Sequence, residues 1–196
     1  MIRAFIAVDI PETVRAAISE AQARLKRAHV GVKISWTKVE NIHITLQFLG
    51  YVEETVVEKV SFALDNVSQD HTAFELNVRG AGAFPNEVRP RVLWVGCEDA
   101  HGKLKTLATA VQAAMQPLGF QPEHREFSAH LTLGRVKFPK PDAALTRALD
   151  SIKNEEFGAM RVETLHIFES QLHPQGSIYS RLSSHKLGER HHAAKG

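Results

Sequence analysis

Residues 41–50 read NIHITLQFLG and residues 128–137 read SAHLTLGRVK, so a chain of 196 residues spells His-x-Thr-Leu twice. Its 11 His, 10 Thr and 17 Leu, scattered at random, supply only about 0.05 copies of that tetrapeptide. In the first copy Ile42, Ile44, Leu46 and Phe48 alternate with His43, Thr45 and Gln47; in the second, Leu131 and Leu133 alternate with His130 and Thr132. Such alternation is the mark of a β-strand, with apolar side chains on one face and the imidazole and hydroxyl together on the other, one pleat apart. The pattern calls for two equivalent strands whose apolar faces are covered and whose His–Thr faces meet.

Two imidazoles and two hydroxyls around one cleft suit a phosphodiester. One histidine takes a proton from the attacking oxygen, the other protonates the leaving oxygen, and the hydroxyls hydrogen-bond the non-bridging oxygens. An unperturbed imidazole titrates near 6.5, so one copy can be neutral while the other is charged near pH 7, and no metal is required. A single His–Thr face on a half-exposed strand is an ordinary polar surface. The duplication is what singles out these four residues.

The flanking sequence reads as an α+β fold. Residues 2–9 form a buried strand, followed by a helix over 11–28 with Pro at its start and Val14, Ala17, Ile18, Ala21 and Leu25 at helical spacing. Strands are predicted over 32–37 and 41–50, a helix over 53–69, and a strand pair over 73–85 and 89–98. The second half repeats the theme, with a helix over 101–118, a strand over 129–136, a helix near 142–154 and strands near 159–169 and 177–183. Two helices per half and Gly/Pro-bounded hairpins predict mostly antiparallel pairing. Residues 187–196 lack apolar periodicity and read as a disordered tail that exposes His191 and His192, which makes 1–186 the folded domain.

Composition removes several classes. The longest apolar runs, FIAV at 5–8 and VLWVG at 92–96, fall far short of the roughly 20 residues that span a bilayer. The start of the chain lacks the apolar core and cleavage site of a signal peptide, so a cytoplasmic location is expected. Cys97 is the single cysteine and reads as a strand-end filler, with neither an internal disulfide nor a cysteine zinc cluster available. A net charge of +2 permits an anionic ligand without demanding one. His29, His71, His101, His124, His166, His173 and His185 show no metal-ligand spacing, and no phosphate-binding glycine loop is present, which disfavours ATP-dependent ligation.

The two motifs resemble the H-x-T-x signatures of the two-histidine phosphoesterases. Within that superfamily the chain is similar to the RNA 2′,3′-cyclic phosphodiesterases, also called 2′-5′ RNA ligases. RAFIAVDIP (3–11), ENIHITLQFLG (40–50), RPRVLWVG (89–96) and FSAHLTLGR (127–135) lie in that family's order, and the likeness spans roughly 2–183. It implies two pseudo-symmetric, mostly antiparallel sheets flanked by helices around a central cleft. It also implies that His43 is the proton donor, His130 the proton acceptor, and that Thr45 and Thr132 hold the phosphate. The implied activity is metal-independent hydrolysis of RNA 2′,3′-cyclic ends to 2′-phosphates, with 2′-5′ joining as its reverse, and it uses no cofactor. The expected partner is RNA with a cyclic phosphate end, tRNA fragments included; no membrane partner and a monomeric state are expected. Ala129 stands where the family often has Pro.

Arg135 belongs on the face opposite His130 by strict alternation; a bulge at Gly134 would turn it toward the cleft, where the resemblance places a phosphate or RNA contact. Trp36 and Phe84 are candidates for base stacking or for core packing, and Tyr179 for lining the cleft. Arg89 and Arg91 are candidates for RNA backbone contact or for solubility, and Glu40 and Asn41 either orient His43 or begin the strand, the latter being favoured. Two other functions fit less well. A non-catalytic RNA-binding module would not need both His–Thr sets intact, and a histidine–metal hydrolase needs a third ligand that the spacing does not show.

Overall fold

The computed structural model describes residues 1–28, 30–121, 126–174 and 176–188. The β-branched opening stretch forms β1 (Ile2–Val8), and Pro11 starts α1 (Glu12–Arg27), which buries Val14, Ile18, Ala21 and Leu25 as one stripe. Glu12 in its first turn and Arg24, Lys26 and Arg27 in its last both complement the helix dipole. β2 (Ile34–Trp36) and a 3₁₀ turn at Val39–Asn41 lead into β3 (Ile44–Val52). There follow α2 (Glu54–Gln69), β4 (Phe74–Phe84) and β5 (Val92–Glu98). α3 (Lys103–Met115) begins where the Asp99 carboxylate accepts from the amides of Lys103, Leu104 and Lys105. After β6 (His130–Val136) comes α4 (Ala143–Asp150), capped by Asp142, whose carboxylate accepts from the amides of Ala144 and Leu145. β7 (Glu156–Val162), β8 (Thr164–Gln171) and β9 (Ile178–Lys186) complete the order.

The strands form two sheets, β3-β1-β8-β9 and β2-β6-β5-β4-β7, with every pairing antiparallel. α2 and α3 pack on the four-stranded sheet, α1 and α4 on the five-stranded one. The fold is therefore α+β with two helix-backed sheets, as the sequence indicates. The sheets are not the two halves of the sequence: β8 and β9 return to the sheet begun by β1, while β2, β4 and β5 join the other. α1 likewise leaves its own sheet to pack beside α4. The apolar faces of the motif strands are sealed, with Ile44, Leu46, Leu131 and Leu133 all buried, each contributing about 1.5–3 kcal/mol.

Four local departures from the sequence reading have clear causes. The predicted strand at 41–50 begins at Ile44, because the 3₁₀ turn occupies Val39–Asn41. Its pairing with β1 then slips twice, so Phe5 faces Phe48 while Ala4 faces Gly50, and Ile6 faces Gln47 while Ala7 faces Thr45. These bulges reverse the expected phase: Gln47 is 3 % exposed and donates to Gln121 O, and Phe48, read as core, is 51 % exposed. The single strand expected near 159–169 is two, β7 and β8, joined at Glu163. At the far end, Leu187 and Gly188 belong to the fold and not to the tail: Leu187 is 2 % exposed, and the two amides donate to Glu163 O and Ser68 O. Residues 189–196, with His191 and His192, lie outside the described residues, as do His29 and His124.

Candidate active site

The two sheets face each other across a cleft of about 540 Å³, and its wall includes His43, Thr45, His130, Thr132 and Arg135. All five residues picked from the sequence are brought together, the first pair from the four-stranded sheet and the rest from the five-stranded one.

The histidines are held by the same device. His43 Nδ1 lies 2.8 Å from Asn41 O and His130 Nδ1 lies 2.7 Å from Ser128 O, each bond reaching back two residues. A carbonyl only accepts, so each Nδ1 carries the proton that it donates, and neither Nε2 has a hydrogen-bond partner among the described residues. Of the two readings of Asn41, the less favoured one holds: it orients His43, through its backbone carbonyl. The turn that presents this carbonyl is itself fixed. Asn41 Nδ2 donates to Ser177 O at 2.6 Å, and Arg15 Nη1 donates to Val39 O at 2.6 Å. Arg15 Nη2 also meets Asp9 Oδ1 at 2.9 Å, while Asp9 Oδ2 accepts from Arg181 Nη2 at 3.0 Å.

The surroundings of the two rings differ. His43 stacks on Phe5 at 4.6 Å, with Phe168 beyond it and the edge of Tyr179 at 5.3 Å. Burial among these rings pushes the His43 imidazolium down to about 4; the Asn41 carbonyl and Asp9 oppose this, and the Arg15 charge adds to it. His130 sits in a more open position, meeting the edge of Phe84 at 5.1 Å. Neither Thr45 nor Thr132 has a hydrogen-bond partner for its hydroxyl among the described residues.

Arg135 reaches the cleft because β6 bulges. Leu93 pairs with Gly134 but Trp94 pairs with Thr132, so Leu133 is the extra residue and the phase changes beyond it. The Leu133 carbonyl freed in this way accepts from Thr37 N and from the buried Gln22 Nε2 of α1. Gly134 is required by space: a Cβ there would lie 2.9 Å from Ile34 Cγ2 and 3.1 Å from Ser35 O.

Of the aromatic candidates, Phe84 and Tyr179 line the cleft; Trp36 does not, being packed against Gly134 with Lys26 over its ring. Arg89, Arg91 and Glu40 also lie outside the cleft wall. Arg3, Phe5, Phe48 and Ser170 line it although the sequence reading gave them no role. Only Arg3 and Phe5 carried a signal, by alternating on β1. Among the described residues no three His, Cys, Asp or Glu side chains converge on a point, and no helix is long and apolar enough to cross a membrane. Burial drives the Cys97 thiol up to about 12, which keeps it protonated and unreactive.

The family model described as LigT like phosphoesterase matches this chain twice in succession, over residues 8–94 and 95–179. The chain belongs to this family. Each match holds one His–Thr motif, so the LigT-like repeat and the duplicated tetrapeptide are the same feature. Among its LigT-like relatives, the RNA 2′,3′-cyclic phosphodiesterase of Methanothermobacter thermautotrophicus is 36% identical over 95% of this chain and 99% of its own. That of Archaeoglobus fulgidus is 38% identical over 92% and 97%. A crystal structure of a Thermus thermophilus protein superposes with a TM-score of 0.79 at 31% identity, covering 96% of this chain and 100% of the other. Escherichia coli LigT complexed with 3′-AMP shares the fold, with a TM-score of 0.75 at 22% identity over 96% of this chain and 99% of its own.

Proposed function

We propose that this protein hydrolyses RNA 2′,3′-cyclic phosphate ends to 2′-phosphomonoesters by acid–base catalysis between His43 and His130, without a metal or cofactor. The observation that carries the reading is the matched pair of Nδ1–carbonyl bonds, which hold two histidines from opposite sheets in the wall of one cleft with each Nε2 unpartnered among the described residues. Water attacks phosphorus and gives its proton to His130 Nε2; the P–O3′ bond breaks, and His43 Nε2 delivers a proton to O3′. The Thr45 and Thr132 hydroxyls donate to the non-bridging oxygens as charge builds, and Arg135 neutralises phosphate at the cleft wall. Tyr179 and Phe84 flank the reacting centre as apolar walls.

The donor role asks His43 to be charged, and burial favours the neutral ring at pH 7. A bound phosphate anion supplies the opposing charge, so substrate binding and protonation of His43 are linked. The same burial favours a second reading, in which His43 is the acceptor and His130 the donor. A nitrophenyl ester, whose leaving group departs without protonation, separates the two: it rescues Ala at the donor position only. The RNA 2′,3′-cyclic phosphodiesterases of M. thermautotrophicus and A. fulgidus support the substrate class. An RNA 5′-hydroxyl in place of water gives 2′-5′ joining, a route that needs a high effective molarity to compete with solvent.

The test is incubation of an oligonucleotide ending in a cyclic phosphate with the protein in EDTA, followed by location of the product phosphate. A 2′-phosphate is expected. A 3′-phosphate, loss of activity in EDTA, or binding without turnover overturns the proposal, the last outcome identifying a phosphate clamp.

A further inference from the structure

The cleft wall beside Phe5 also includes Arg3, Phe48 and Ser170. Along β1 the chain runs from Val8, which pairs with Ile44 next to His43, through Phe5, whose ring stacks on His43, to Arg3, two residues or about 7 Å beyond Phe5. Arg3 thus stands on the far side of Phe5 from Val8, within reach of RNA that leads away from the reacting phosphate. Three features of this stretch of wall lack an internal purpose. Arg3 meets no carboxylate among the described residues, a state it shares with Arg135 elsewhere on the cleft wall. Phe48 holds an aromatic ring 51 % exposed beside it. Ser170 is 6 % exposed, and its hydroxyl has no hydrogen-bond partner, a costly state for a buried polar group. Glu126 on the facing wall is paired with Lys105, so the net local charge comes from Arg3.

An unpaired guanidinium, an unsatisfied hydroxyl and an exposed aromatic face match one unit of single-stranded RNA, a phosphate and a stackable base. We propose that Arg3, Phe48 and Ser170 form a subsite for RNA upstream of the reacting nucleotide, with Arg3 and Ser170 on a phosphate and Phe48 under a base. This deepens the proposed function and rests on it. The site is then built for polynucleotide ends, and a cyclic mononucleotide fills only its central part.

The experiment compares kcat/KM for a nucleoside 2′,3′-cyclic phosphate with that for a trinucleotide ending in the same group. Wild type is measured beside Arg3→Gln, Phe48→Ala, Ser170→Ala and Arg135→Gln. Wild type is expected to prefer the trinucleotide, and Arg3→Gln and Phe48→Ala are each expected to lower that preference about tenfold. Arg3→Gln should also reduce the salt dependence of trinucleotide turnover by about 0.7 in log–log slope. A cooperative thermal melt at the wild-type temperature reports an intact fold in each preparation. Equal preference in wild type and variants overturns the subsite alone, as does a preference that responds only to Arg135→Gln, which would place the RNA against Arg135 instead. Failure of wild type to cleave either substrate overturns the proposed function and the subsite with it.

Discussion

The hydroxyls of Thr45 and Thr132 are the residues whose roles rest most directly on hydrogen bonding, since nothing else among the described residues engages them. Thr→Val keeps the shape and deletes the donor, so each substitution should cost about 1–3 kcal/mol of transition-state stabilisation, read as a fall in kcat/KM. Unchanged kinetics in both variants would remove the assignment. His43 gives a second prediction. Asp9 opposes the effect of burial on this ring, and removing its charge also leaves Arg15 and Arg181 uncompensated. Asp9→Asn should therefore move the His43 titration, followed by NMR of the ring protons, below its value of about 4. A titration that stays in place or rises contradicts the network. The histidines and threonines that line the cleft were legible in sequence because the repeated pattern is written in side chains. The Asn41 and Ser128 carbonyls that orient the rings were not, because every residue type carries a carbonyl.

At the level of strands, alternation found the motif faces and failed where the ladder slips. The bulges of β3 and β6 exchange Gln47 with Phe48 and bring Arg135 to the cleft; both are set by pairing with β1 and β5, partners distant in sequence. Gly134 was the one visible hint. Gly134→Ala forces a Cβ against β2, and about 1–3 kcal/mol of destabilisation in a denaturant titration is expected, with weaker β2–β6 pairing. A neutral outcome would mean that β2 yields freely. The four-stranded sheet also carries two imidazoles held down to about 4, His43 chiefly by burial and His166 by burial and then by Arg181. Unfolded histidine titrates near 6.5, so between about pH 6.5 and 4 the unfolded chain binds more protons than the folded one. The stability held above pH 6.5 is thus lost progressively as the pH falls through that window. His166→Gln should flatten this slope, and an equally steep loss of stability in the variant would contradict the burial argument.

Across the whole molecule, the duplicated motif foretold two sheets and one cleft, while the interleaving of the halves left no trace in local sequence. Which strand joins which sheet depends on long-range pairing, and β8–β9 closes the first sheet only after the second is complete in sequence. Because of that exchange, each lobe contains chain from both ends, and the histidines face each other from different sheets. Catalysis by His43 and His130 as one unit is what this arrangement predicts. It is tested by kcat/KM toward a cyclic-phosphate-ended oligonucleotide, in EDTA, for His43→Ala, His130→Ala and the double variant. Groups that act together are non-additive, so each single substitution should remove most of the turnover and the double should fall little further. Fully additive losses, or one single variant with wild-type activity, would contradict it.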